Sequence, residues 1–249
     1  MQRVVLITGV AGGIGRATAQ VFAEAGWRVV GVDRGAEAAP EGVARYIRAD
    51  IADIAASQAI FAEVTAQEGR LDALVNNAGV QVAKPLVETT PEEWDTVMGS
   101  NLRSVYLAIR HAYPLLRAQG GAIVNVSSVH AVATSANIAA YAASKGALSA
   151  LTRAVAIELA RERIRVNAVL PGAVDTPMLH AGLMRGHVAG ANLEELMGAL
   201  AARTVMGRIG HPREIGRAIL FLADETLSSF ITGQELVVDG GATARLSTE

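Results

Sequence analysis

Short runs of apolar residues, many of them β-branched, recur along the chain and alternate with longer alanine-rich stretches. The runs at 4–7, 28–32, 44–48, 73–75, 122–126, 165–169 and 235–238 predict strands. Uninterrupted apolar runs bounded by turn residues suit strands buried on both faces. Between them, the stretches 14–24, 55–68, 91–119, 141–162 and 213–222 predict helices. Strand and helix in alternation imply parallel strands joined by right-handed crossovers, so the expected fold class is α/β, a doubly wound parallel sheet with helices on both sides.

One stretch, 178–207, breaks this rhythm. It is long, rich in Gly, Ala and Met, and follows a strand end, where ligands bind in such sheets. A lid covering a substrate site is expected there, the alternative being a pair of peripheral helices. No linker, repeat or low-complexity tract divides the 249 residues, which predicts a single domain over 1–249. With half the residues apolar and under a fifth charged, the composition is that of a compact globular chain rather than a disordered one. A net charge of -2 gives no electrostatic reason to expect nucleic acid or an anionic membrane surface. The absence of cysteine excludes disulfides, zinc–thiolate sites and thiol catalysis, and no metal site is expected. No apolar stretch approaches the roughly 20 residues needed to span a bilayer. The apolar start is too short for a secretion signal and runs into a glycine turn, so a first strand and a cytoplasmic protein are expected.

That first strand leads into Thr8-Gly9-Val10-Ala11-Gly12-Gly13-Ile14-Gly15 and then a helix. Glycines here let the backbone approach a pyrophosphate, and the helix start offers free N–H groups. The spacing is Gly-x-x-x-Gly-x-Gly and departs from the commoner Gly-x-Gly-x-x-Gly dinucleotide pattern. Asp33 ends the second strand, eighteen positions beyond Gly15. A carboxylate there accepts hydrogen bonds from ribose hydroxyls and repels a 2′-phosphate, which favours NAD over NADP. Arg34 follows directly, and a guanidinium could hold that phosphate instead.

Tyr141 and Lys145 stand four residues apart, on one face of a predicted helix. A cation near a phenol lowers its pKa from about 10 towards a value useful in proton transfer. Only Lys84 and Lys145 are lysines among 22 basic residues, so lysine at this position stands out in an arginine-writing chain. Ser128, thirteen residues before Tyr141, follows a predicted strand, where its hydroxyl could meet the tyrosine; ordinary turn chemistry is the alternative.

The glycine turn, Asn76-Asn77-Ala78-Gly79, Asn101, Ser128, Tyr141 and Lys145 stand in the order and spacing of the short-chain dehydrogenase/reductase (SDR) family. Pro171-Gly172-Ala173-Val174-Asp175-Thr176 and Val238-Asp239-Gly240-Gly241 resemble it too, so the likeness covers nearly the whole chain. The resemblance implies a Rossmann-type, three-layer fold and hydride transfer between a nicotinamide cofactor and an alcohol or carbonyl carbon. By similarity, Tyr141 is the general acid/base and Ser128 orients the substrate oxygen. Lys145 holds the nicotinamide ribose and depresses the tyrosine pKa, and Asn101 positions a water in a proton relay. Gly9, Gly13, Ile14 and Gly15 would line the cofactor, with Asn77, Ala78 and Gly79 on the adenosine-ribose side and Asp50 beside adenine with Ile51. Pro171 and Gly172 belong to the same cofactor wall, and Val174 and Thr176 would bind the carboxamide. The family also implies a homotetramer, with interfaces on the helices around 101–119 and 141–162 and on the closing segment.

His130, where relatives often carry a small residue, is a candidate substrate contact, as are Asn137 and, in the lid, His180, Arg185 and His187. Each could equally be an ordinary loop or surface residue. The substrate pocket is expected to be shaped by His130, the stretch 81–86, Asn137 and the lid. The leading expectation is oxidation of a sugar, polyol or hydroxy acid with NAD. The alternatives are reduction of a 3-oxoacyl thioester with NADPH, and a catalytically silent NAD-binding regulator.

Overall fold

In the first strand, alternate residues enter different cores. Val4 and Leu6 pack on one face of the sheet and Val5 and Ile7 on the other, all four buried. The run is continuously apolar because both faces are covered. The computed structural model describes residues 1–35, 37–183, 190 and 192–244. Its strands are β1 (Val4–Thr8), β2 (Arg28–Asp33), β3 (Arg45–Arg48), β4 (Ala73–Asn76), β5 (Gly121–Val126), β6 (Ile164–Pro171) and β7 (Glu235–Val238). They form a seven-stranded sheet in the order β3-β2-β1-β4-β5-β6-β7 with every pairing parallel, so the expected doubly wound architecture is present.

The helices are α1 (Gly13–Glu24), α2 (Ile54–Glu68), α3 (Pro91–Met98), α4 (Ser104–Arg117), α5 (Ala139–Leu159), α6 (Pro177–Leu183), α7 (Leu193–Ala201), α8 (Pro212–Ala223) and α9 (Glu225–Ser228). Helices α2, α4 and α5 bury Phe61, Leu116 and Leu148 in one core, and α1 and α8 bury Phe22 and Ile219 in the other. Helices α1 and α8 approach closely, since a Cβ at Gly216 would stand 3.2 Å from the Thr18 Cα. No helix among the described residues is long and apolar enough to cross a membrane.

The helix expected over 91–119 is continuous from Pro91 to Arg117, but its hydrogen-bond pattern changes midway. A capping box of Thr90 and Glu93, with Pro91 in the first turn, starts α3. A π turn at Gly99–Arg103 then joins α3 to α4 as a bulge within one helical run. Apolar periodicity of 3.6 does not resolve one extra residue in a single turn. Other element ends differ from the expected ones by a few residues, the ordinary uncertainty of frayed termini.

A buried polar ladder crosses the first core. Asn76 Nδ2 donates to Asn125 Oδ1, and Asn125 Nδ2 donates to Thr152 Oγ1, both at 2.9 Å. Thr152 donates in turn to the Leu148 carbonyl. Every rung is paired, so the ladder fixes β4, β5 and α5 in register without an unsatisfied group.

Candidate active site

The order in which strands are added to the sheet reverses between β1 and β4, and crevices open at the carboxyl ends of strands at such a switch point. Here the crevice is braced by side chains. Thr8 Oγ1 accepts from the Asn77 and Ala78 N–H groups at 3.1 Å each, and Asn77 Nδ2 donates to the Thr8 and Gly9 carbonyls at 3.0 Å. Two glycines of the turn are sterically required. Gly9 has φ +67°, and a Cβ on Gly15 would lie 2.1 Å from the Gly9 oxygen. Gly12, the N-cap of α1, offers no side chain to cap the helix, so the first-turn N–H groups lack a side-chain acceptor.

A cavity of about 570 Å³ starts at this turn, where Gly9, Gly13, Ile14 and Gly15 line it, and continues past Asn77, Ala78 and Gly79. Asp33, Arg34, Asp50 and Ile51 form one region of its wall. Ser128, Tyr141 and Lys145 form another, with Pro171, Gly172, Val174 and Thr176 opposite the glycine turn. The Asp33 carboxylate accepts from the Ala11 N–H at 3.0 Å and the Gly35 N–H at 2.8 Å, so it braces the glycine turn as well as facing the cavity. Arg34 is paired with Asp50 at 3.0 Å, and the other Asp50 oxygen accepts from the Ala52 N–H at 2.9 Å.

Tyr141 and Lys145 lie one turn apart on α5, both buried, with the Lys145 Nζ 5.6 Å from the tyrosine ring centre. The lysine donates to the Val126 carbonyl at 2.7 Å, and Ser127 Oγ holds the lysine's own carbonyl at 3.1 Å. Burial pushes the Lys145 pKa down to about 8. The tyrosine departs from expectation. Burial raises its pKa, and a hydrogen bond with Ser128 pulls it only partly back. Desolvation of the phenolate outweighs the Ser128 hydrogen bond. The Ser128 hydroxyl also accepts from the His130 N–H at 3.2 Å, which fixes its position above β5.

Asn101 sits in the π turn, fully buried behind the cavity wall rather than in it. Its Oδ1 accepts from the Val80 N–H at 2.8 Å, and its Nδ2 donates to the Val80 carbonyl and the Ser144 hydroxyl at 2.9 Å each. A Cβ on Gly79 would stand 3.2 Å from Asn101 Oδ1 and 3.6 Å from Lys145 Nζ, so the two side chains converge on the space this glycine leaves.

The substrate candidates divide. His130 lines the cavity, its ring edge-on to Tyr141 at 5.9 Å and its Nδ1 3.0 Å from Thr134 Oγ1. Asn137 is not among the described lining residues. It adopts a left-handed φ of 62° ahead of α5, a conformation asparagine tolerates, and serves that turn. His180 is also outside the lining, its Nε2 held 2.7 Å from the Asp175 carboxylate on the exposed side of α6. Arg185 and His187 lie outside the described residues. Of 81–86 only Gln81 reaches the wall, where its amide donates to the Met178 carbonyl at 2.8 Å. Sequence reasoning missed Thr8, whose bracing role has no spacing signature, and Arg203, a lining residue indistinguishable from the chain's many surface arginines.

The residues present fit a nicotinamide dinucleotide. An uncapped helix start and glycine turn suit a diphosphate, a carboxylate at the end of β2 suits a ribose, and the cavity runs unbroken to a buried tyrosine–lysine pair. Fold and site together define a dinucleotide-binding type of α/β protein whose cavity also gathers Ser128, Tyr141 and Lys145. Comparison with known proteins is in keeping. A family model described as enoyl-(acyl carrier protein) reductase matches residues 9–243. The chain is 40% identical over 253 residues to the cis-4-hydroxycyclohexanecarboxylate dehydrogenase of Sinomonas cyclohexanicum, covering 98% of this chain and 97% of that one. It is 38% identical over 252 residues to the cyclopentanol dehydrogenase of Comamonas sp., covering 97% of each. The ligand-free aldohexose dehydrogenase of Thermoplasma acidophilum superposes with a TM-score of 0.90 at 32% identity, covering 99% of this chain and 96% of that one. The chain belongs to the short-chain dehydrogenase/reductase family. It is an oxidoreductase of alcohol and carbonyl groups that uses a nicotinamide cofactor.

Proposed function

We propose that this chain is an NAD-dependent dehydrogenase that oxidises a secondary alcohol, with a hydroxy acid or an alicyclic alcohol favoured over a sugar. The observation that carries the reading is the buried cluster of Ser128, Tyr141 and Lys145 in the wall of the cavity. When bound, the nicotinamide supplies the hydride acceptor. Tyr141 Oη takes the hydroxyl proton while Ser128 Oγ donates to the substrate oxygen and fixes its orientation. Below about pH 8 Lys145 carries its proton and opposes the rise that burial imposes on the phenol. Asn101, whose side-chain N–H groups are committed to Val80 and Ser144, serves the proton relay through an oxygen.

The NAD preference rests on charge. Asp33 presents a carboxylate where a 2′-phosphate would fall, and Arg34 is neutralised by Asp50. The preference over sugars rests on Met178, Leu179, Leu183 and Leu200, which give the cavity an apolar lining. Two relatives are named for alicyclic alcohols, one of them also a carboxylic acid. The same reading includes a cytoplasmic homotetramer, supported by exposed apolar groups on α4 and α5, Tyr106 and Ile157 among them. NAD⁺ and NADP⁺ reduction across cyclic alcohols, hydroxy acids, polyols and sugars tests it. Turnover of cyclic alcohols or hydroxy acids with NAD⁺ is expected; activity confined to NADPH and carbonyl thioesters would overturn it.

A further inference from the structure

Charged groups in the cavity wall are few, and most already have partners. Asp33 holds two backbone N–H groups, Arg34 and Asp50 hold each other, and Lys145 is bonded to Val126. Arg203 is the exception. It lines the cavity beside Leu200, Thr204 and Ala242, and its guanidinium has no acidic or hydrogen-bonding partner among the described residues.

Topology puts this arginine on the substrate side. Arg203 follows α7 and precedes Thr204, whose Cβ lies 3.5 Å from where a Cβ on Gly240 would stand, just after β7. Asp33 ends β2, five strands from β7 in the sheet order. The glycine turn ends β1, four strands from β7 in the sheet order, although the loops reach across part of that span, Thr176 after β6 touching Gly13. Ser128, by contrast, follows β5, only two strands from β7.

We propose that Arg203 is a specificity-determining residue that binds a carboxylate carried by the substrate, across an apolar body held by Leu179, Leu183 and Leu200. This rests on the dehydrogenase reading above for the identity of the substrate, but not for the existence of the anion subsite. A planar guanidinium with free donors matches a carboxylate bidentately, and such charge-assisted pairs discriminate strongly against neutral isosteres. The only described carboxylates in the cavity wall, Asp33 and Asp50, lie on the far side of the sheet and do not compete.

The test uses cyclohexanecarboxylate and cyclohexanecarboxamide, which carry no oxidisable hydroxyl, as ligands of the full-length enzyme with NADH, read by NADH fluorescence. The carboxylate is expected to bind about 10- to 100-fold more tightly than the amide. Arg203→Gln should bring that ratio close to one, and Arg203→Lys should leave it between the two. A wild-type ratio near one, or a ratio unmoved by Arg203→Gln, overturns the proposal. So does a large rise in the NADH dissociation constant of Arg203→Gln, which would mean that the anion met by Arg203 is the cofactor diphosphate. An anion preference that depends on Arg203, in an enzyme that oxidises no alcohol, would sustain the subsite and sink the dehydrogenase reading instead.

Discussion

Replacing Lys145 with methionine should destroy turnover and stabilise the fold, and the structure gives the size of the second effect. The ammonium is 4% exposed, and burial lowers its pKa from 10.5 to about 8. Below pH 8 both folded and unfolded chains hold the proton, and the folded state bears the full penalty, about 3 kcal/mol at pH 7. Between pH 8 and 10.5 the unfolded chain binds more protons than the folded one, so stability rises with pH and the penalty falls to about 1.5 kcal/mol at pH 9.5. Methionine loses the 2.7 Å hydrogen bond to the Val126 carbonyl, which offsets about 1 kcal/mol at either pH. Lys145→Met should therefore exceed the wild type by about 2 kcal/mol at pH 7 and by well under 1 kcal/mol at pH 9.5. Urea denaturation of both proteins, at both pH values and one protein concentration, measures this directly. Other titrating groups are common to both proteins and cancel in the comparison. A stability gap independent of pH, or a variant weaker than the wild type at pH 7, would refute the idea that this lysine is held at a cost.

Tyr141→Phe keeps the ring contacts with His130 and Lys145 but loses the proton-transfer group, so turnover should drop by about 10²- to 10⁴-fold while NADH still binds, as steady-state rates and NADH fluorescence will report. Gly15→Ala forces a methyl to 2.1 Å from the Gly9 oxygen and should cost about 1–3 kcal/mol in thermal or urea unfolding, with a parallel loss of cofactor affinity. Asp33→Ser removes the charge facing the ribose and keeps an acceptor for the glycine turn; kcat/KM ratios should shift towards NADP⁺ by at least about tenfold, and no shift would show that Asp33 is a brace only. Asn125→Val leaves Asn76 Nδ2 without its acceptor, while Thr152 keeps its bond to the Leu148 carbonyl, and should destabilise by about 1–3 kcal/mol in the same unfolding assay.

The sheet was legible because its central strands are buried on both faces, where apolar residues predominate and the few polar ones, such as Asn76 and Asn125, need internal partners. Val4–Thr8 and the central part of β5 announce themselves in this way. The glycine turn and the Tyr141–Lys145 pair were legible for a second reason, since backbone approach and helical spacing restrict the residue types that can stand there. Asn137 and His180 were harder. A polar residue near a pocket in sequence has no fixed orientation, and local partners captured both: a left-handed turn for one, Asp175 for the other. Thr8 and Arg203 acquire their importance from residues distant in the chain, such as Asn77 and the turn after β7. The tyrosine pKa was misjudged because the sequence shows a neighbouring cation but not the degree of burial around both groups.

The π turn at Gly99–Arg103 makes the active-site support sensitive to insertion and deletion in a way point substitution does not reveal. One residue more than an α-helical turn holds shifts everything after it by about 100° around the helix axis. Removing a single residue from 99–103 would turn the bulge into ordinary α-helix between α3 and α4. It would also turn Asn101 away from Val80 and Ser144, or else rotate Val105, Ala108 and Leu116 out of the core. A bulge-free helix is therefore the worse solution for this chain, and length variation among related sequences should stop at the edges of this turn while continuing freely in surface loops.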